Sequence, residues 1–184
     1  MARRDNSDNG KCGVVIISVG GTIEKSYDES DGSLANRESL LQQLIIQRMR
    51  LPYHKLSVVM PFSKDSLDMS DEDRSLLLMS VKAQLSRKEP IVVIHGTDTM
   101  ARSARYIQQE IGDLEIPIVF TGAMRPMEFR DSDGYQNVCE ALYASTLTSP
   151  GVYISFHGRL LPMPHVRKNL RLGTFEAHHF DGSE

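Results

Sequence analysis

The chain has 184 residues, 40% hydrophobic and 24% charged, which suffices for one globular domain with a real core and leaves little room for a second. A formal charge of -3 offers no general attraction to nucleic acid or to an anionic membrane surface. Its two cysteines, Cys12 and Cys139, are too few and too far apart for a disulfide framework or a thiolate metal site, so both are expected reduced, with Cys139 a small core residue on a helix.

The opening "MARRDNSDNG" is polar and mixed in charge; residues 1–10 read as a disordered lead-in and residues 11–184 as a single domain. No apolar run approaches the roughly 18 residues that suggest a membrane span, and a cytoplasmic location is expected. "CGVVIISV" (12–19) reads as a buried strand and "RESLLQQLIIQRM" (37–49) as an amphipathic helix. "LSVVMPF" (56–62) is a second strand. "SDEDRSLLLMSVKAQLS" (70–86) has the acidic opening turn of a helix start. "PIVVI" (90–94) is the third strand, "MARSARYIQQEI" (100–111) a helix, "IPIVFTG" (116–122) the fourth strand, "DGYQNVCEALYAST" (133–146) a helix and "GVYISFHG" (151–158) the fifth strand. Strands alternating with helices imply an α/β fold, a three-layer, doubly wound, mainly parallel sheet with helices on both faces. In such sheets ligands bind off the carboxyl ends of the strands. Those ends carry "GGT", "SKDS", "HGTDT", "TGAMRP" and "HGRL".

Three chemistries compete for these ends. A phosphate-binding loop would need glycine directly before Lys25 and again five positions earlier, where the chain has Glu24 and Val19; a carboxylate beside a phosphate repels it. Zinc has only the adjacent pair His178 and His179 to recommend it, and neighbours on a strand point to opposite faces. Nucleophilic catalysis by a hydroxyl fits best. Thr22 and Thr97 both follow a strand and a glycine, where backbone N–H groups can serve a developing oxyanion. The plainer alternative is a helix cap, with Asp98 or Thr99 opening the 100–111 helix and Thr22 lying in a turn. A threonine nucleophile also needs a base. Lys168, in "PHVRKNLRLG", could return to the same sheet edge, although Lys25 and Lys64 also stand at strand ends.

"GGTI", "HGTDTM" and "GAMRP" followed by "SDGYQN" resemble, in order, the motifs of the bacterial type I/II L-asparaginases, threonine-dependent amidohydrolases whose relatives include the asparaginase-like subunit of an archaeal tRNA amidotransferase. The resemblance runs from about Val14 to Lys168. It implies that Thr22 is the primary nucleophile and that Thr97, Asp98 and Lys168 form a proton-transfer cluster, Lys168 standing at the family's V-x-K. It implies further that Ser66 holds the substrate α-carboxylate, and that Gly21, Gly96 and Thr97 supply backbone donors. Ala123 and Met124 would lie beside the substrate, and Tyr27 in the loop that closes over the site.

The resemblance also implies hydrolysis of L-asparagine to L-aspartate and ammonia, with no metal or organic cofactor. Glutamine, another carboxamide, or mere amino-acid binding are the alternatives. The expected partners are a small-molecule substrate and further copies of the chain, as a dimer or tetramer, with no nucleic acid or membrane. Two departures stand out. Long family members have a second α/β domain that these 184 residues are not expected to contain, and Leu67 occupies the place of a glutamine that touches the substrate α-amine in the periplasmic enzymes. Amine recognition is then expected from a subunit partner, from Glu24 or Asp28, or from Asp98.

Overall fold

The computed structural model describes residues 11–27, 34–36 and 49–178. In chain order its strands are β1 (Cys12–Ser18), β2 (Lys25–Tyr27), β3 (Leu34–Asn36), β4 (His54–Val59), β5 (Ile91–Ile94), β6 (Pro117–Thr121), β7 (Gly151–Phe156), β8 (Arg159–Pro162), β9 (Val166–Asn169) and β10 (Thr174–Ala177). The helices are α1 (Asp71–Gln84), α2 (Met100–Ile111) and α3 (Gly134–Leu147). The helix expected over 37–49 falls outside the described residues except at Met49, and the lead-in expected over 1–10 falls wholly outside them.

The main sheet runs β4-β1-β5-β6-β7-β8, parallel throughout except for β8, which turns back on β7. That hairpin is closed by His157 and Gly158, both at positive φ (48° and 77°), the backbone that a two-residue turn between twisted strands requires. β1 is buried on both faces because its alternate residues feed two cores. Val15 and Ile17 point to a cluster that includes Leu77 and Val81 of α1 and Met100, Ala104 and Ile107 of α2. Val14 and Ile16 point to a second cluster with Val138, Ala141 and Leu142 of α3. Each such side chain removed from water contributes about 1.5–3 kcal/mol, so the two layers of helices hold the sheet between them. This is the three-layer α/β architecture expected from the alternation of elements.

Helix α1 starts where its sequence says it should. Ser70 accepts from the Asp73 backbone N–H and Asp73 accepts from the Ser70 backbone N–H, a reciprocal box that satisfies two donors otherwise unpaired at the helix start. The second strand begins two residues before the expected span and ends three residues before its end, at Val59. Three short antiparallel additions were not legible in the pattern: β2 with β3, β8 on the sheet edge, and β9 with β10. Three- and four-residue strands are too short to show a period of two.

Ranked by chain order among themselves, the five parallel strands stand in the sequence 2-1-3-4-5. The direction of winding therefore reverses between β1 and β5. In doubly wound sheets such a reversal marks the crevice, off the carboxyl ends of the strands, where ligands bind.

Candidate active site

The crevice is built on glycine. After β1 the chain passes through Gly20 and Gly21 at φ 94° and 99°, backbone that a Cβ disfavours, before the short 3-10 turn Thr22–Glu24. A methyl group on Gly21 would lie 2.4 Å from the Cα and N of Gly96, the second residue after β5. A methyl on Gly96 would in turn lie 2.7 Å from the Cβ and Oγ of Ser66. Three loops, from β1, β5 and the segment before α1, are thus stacked with no room for a side chain between them. Thr22 and Thr97 follow directly on the two glycines in contact.

The β5 loop is held from below by His95, which is fully buried. Its Nδ1 donates to the Gly96 carbonyl at 2.8 Å, so Nε2 accepts from the Ser103 hydroxyl, also at 2.8 Å. Burial, with the charge of Arg74 adding to it, brings the imidazole down to about 4 from its ordinary 6.5, and the ring stays neutral at neutral pH. Thr99 occupies the N-cap of α2 but makes no side-chain cap; its hydroxyl donates instead to the Ser66 carbonyl at 2.8 Å. Capping therefore does not account for the hydroxyls of this loop.

Lys168 arrives from the far end of the chain. It lies on β9 opposite Phe175 of β10, and Phe175 is buried edge-on against Phe156 at the end of β7. Alternation sends Val166 and Lys168 to the inner face, while Arg167 and Asn169 turn outward to bind Glu176. The Lys168 Nζ then donates to Thr97 Oγ1 at 2.7 Å and to Asp98 Oδ1 at 2.8 Å. The other two candidate bases are committed elsewhere: Lys25 pairs with Asp65, and Lys64 spans both oxygens of Asp73 at 2.7 and 2.8 Å.

Ser66 is 1% exposed, and its Oγ has no hydrogen-bond partner among the described residues, an unusual state for a buried hydroxyl. Its neighbour Leu67 projects outward, 72% exposed, with its backbone N–H on Asp65. Glu24 is fully buried; Ser18 donates to its Oε1 at 2.7 Å, while Oε2 has no partner among the described residues. Burial pushes this carboxyl above its ordinary range, opposed by the Ser18 and Ser63 hydroxyls. Tyr27 sits on β2 about half exposed, its backbone N–H held by Glu128 at 2.6 Å. Asp28 lies outside the described residues.

One supporting residue has no role in the motif pattern. Asp133, at the start of α3, accepts from the backbone N–H groups of Met124 and Arg125, each at 3.0 Å, from Asn137 at 2.8 Å and from His157 at 2.9 Å. Burial pushes its carboxyl up, but these donors outweigh that and hold it below its usual value. The loop after β6, with Ala123 buried and Met124 partly buried, is thereby clamped. The signal was present in "SDGYQN": an acid before a glycine at a helix start, aimed at the preceding loop. Cys139 lies on α3 as expected but is only partly buried, because it sits beside the inward-facing Val138 and not on its stripe. Among the described residues no three His, Cys, Asp or Glu side chains gather as a metal site, and no helix is long and apolar enough to cross a membrane.

The chain as a whole has counterparts. Residues 13–181 match the family model described as asparaginase, N-terminal. The chain is 30% identical over 156 residues to L-asparaginase 1 of Escherichia coli (strain K12), covering 82% of this chain and 45% of that one. It is 32% identical over 133 residues to a glutamyl-tRNA(Gln) amidotransferase component of Nanoarchaeum equitans (strain Kin4-M), covering 71% and 33%. The solved thermostable L-asparaginase from Thermococcus kodakarensis superposes with a TM-score of 0.81 at 26% identity, covering 90% of this chain and 51% of that one. The chain thus spans about half, or less, of the length of these relatives. With the family match running over nearly all of its residues, the chain belongs to the asparaginase family and corresponds to that family's N-terminal domain.

Proposed function

We propose that this chain is an L-asparaginase that cleaves the side-chain amide of L-asparagine by acyl transfer through Thr22. The observation that carries the reading is the contact of Lys168 Nζ with both Thr97 and Asp98, in a loop packed directly on the one that leads into Thr22. Membership of the family supports it, as does the likeness to asparaginases from two organisms.

The chemistry follows from what each group can do. Asparagine lies across the crevice with its α-carboxylate at the buried Ser66 hydroxyl, which supplies the unmet donor. Thr22 Oγ1 attacks the amide carbon, forming a C–O bond, and its proton passes into the Thr97–Lys168–Asp98 cluster. Backbone N–H groups at Gly21, Gly96 and Thr97 face the oxygen that becomes negative. The C–N bond breaks and ammonia leaves with a proton returned from the cluster. Water then adds to the acyl-threonine, aspartate departs, and Thr22 recovers its hydroxyl proton. Asp98 keeps the amine of Lys168 oriented, and Ala123 and Met124 form the wall held by Asp133. Tyr27, on β2, completes the catalytic set, and the active assembly is a homo-oligomer in the cytoplasm. No cofactor takes part.

Two observations favour a second substrate class. The 32% likeness to an amidotransferase component is one. The other is Leu67, an exposed apolar residue beside Ser66 where an amine contact would be useful. Glu24 is a poor candidate for that contact, since its carboxyl is buried and shifted toward the neutral form. Ammonia release measured on asparagine, glutamine and a blank, with wild type and Thr22→Ala side by side, tests the reading. Thr22-dependent release from asparagine is the expected result. Release from glutamine alone would transfer the site to the second class, and release that survives Thr22→Ala would remove Thr22 from the chemistry.

A further inference from the structure

A cavity of about 370 Å³ shares no residue with the crevice above. It lies in the groove between α1 and α2 and is lined by Asp71, Arg74, Ser75, Arg102, Arg105 and Tyr106. Three guanidiniums face one carboxylate there, a local excess of two positive charges in a chain whose formal charge is -3.

The charges are not consumed by their neighbours. Arg74 is 3% exposed; its Nη1 is spent on the Met69 and Ser70 carbonyls and on Asp71, while its buried Nε has no partner among the described residues. Asp71 is shared, since the same Oδ1 that meets Arg74 at 3.3 Å accepts from Arg102 at 2.9 Å. Among the described residues Arg105 donates to the Pro164 carbonyl, a neutral acceptor, at 3.2 Å. Burial, and after it the charge of Arg102, lowers the Arg74 pKa. The hydroxyls of Ser75 and Tyr106 lie 3.4 Å apart on the facing walls, giving two further polar groups on the same groove.

We infer that this groove is a binding site for a small dianion, whose two acidic oxygens pair with the Arg102 and Arg105 guanidiniums above the buried Arg74. Planar guanidiniums match carboxylate and phosphate oxygens two at a time, and a ligand of charge minus two neutralises the groove. Phosphate and dicarboxylate share this chemistry. Both walls begin at the crevice loops, α1 just after the Ser66 turn and α2 just after Asp98, but the site stands on its own residues and does not rest on the proposed reaction.

The test is isothermal titration calorimetry of the full chain with inorganic phosphate and, separately, malonate at constant ionic strength. Each titration is repeated on Arg102→Gln/Arg105→Gln and on a charge-matched control, Lys88→Gln/Arg159→Gln, whose residues are exposed and outside the groove. Arg102 is exposed and Arg105 partly exposed, so their replacement spares the core, and the melting temperature checks that. The expected result is saturable binding of one or both anions that falls at least about ten-fold, or 1.4 kcal/mol, in the groove variant and holds in the control. Whichever arm responds identifies phosphate or carboxylate chemistry. Binding of neither anion, binding the groove variant leaves intact, or equal loss in both variants overturns the site.

Discussion

Lys168 Nζ donates to Thr97 Oγ1 over 2.7 Å, joining residues 71 positions apart. The contact depends on the β9–β10 hairpin, which is anchored by Phe175 on Phe156 and so delivers one amine to one loop. Replacing Lys168 by Met keeps the length and removes the charge. We expect kcat for ammonia release to fall roughly 10²–10⁴-fold, the usual worth of a positioned proton-transfer group, with the circular dichroism spectrum unchanged. Near-normal turnover in that variant would end the base assignment.

Gly21→Ala tests the stacking of the loops. The new methyl would meet the Gly96 backbone at 2.4 Å and would sit on a residue with φ 99°. Backbone cannot swing aside as a side chain can. Left-handed strain alone costs about 1–2 kcal/mol, and the clash adds to it. A lowered melting temperature with activity lost is expected. Gly112→Ala, at φ 66° with open space around it, serves as the comparison that carries strain without the clash. Equal behaviour of the two variants would show that the close approach is unimportant.

Asp133→Asn should loosen the wall beside Ala123. Both carboxylate oxygens of Asp133 face donors, so an amide NH₂ must confront at least one of them. A loss of about 1–3 kcal/mol is expected, read by urea titration. For the wild type the sign is set by a folded-state pKa below the ordinary one. The carboxylate's stabilisation is present above the unfolded value of about 3.9 and is lost as pH falls through the folded value. The Asn variant should therefore lose most relative to wild type at neutral pH and least in acid. A deficit that grows in acid contradicts the clamp.

His95 gives a second pH signature, higher on the scale. Its folded value of about 4 lies below its ordinary 6.5, so over that window the unfolded chain takes up a proton that the folded chain refuses. Stability should erode as pH falls from 6.5 toward 4, by on the order of 3 kcal/mol from this residue. Urea midpoints at several pH values, for wild type and His95→Gln, isolate the contribution as the difference in slope. Parallel curves would mean that the imidazole is not kept neutral by burial.

Much of the fold was legible because its signals are local. Val14 to Ile17 and Ile91 to Ile94 read as strands buried on both faces, and Ser70 with its acidic turn read as a helix start. The additions in β8, β9 and β10 escaped because a strand of four residues shows no period, and their pairing partners are chosen by the hairpin turns and by Phe175. The candidate residues were legible through motifs at strand ends. Their supports were less so: the His95 link to Ser103 and the Asp133 link to Met124 are ordinary polar residues until the fold brings donor and acceptor within 3 Å.

The amino-acid order by itself determined which segments must be buried, since alternation and apolar runs act through the nearest residues on one element. It also determined which reactive groups follow each strand. Only the tertiary structure decided that β1 lies beside β5, that their glycines touch, and that Lys25 and Lys64 are paired away while Lys168 reaches Thr97. The physical reason is that strand order is settled by how α1, α2 and α3 cover the two faces together, a balance of burial summed over the whole chain that no single stretch of it contains.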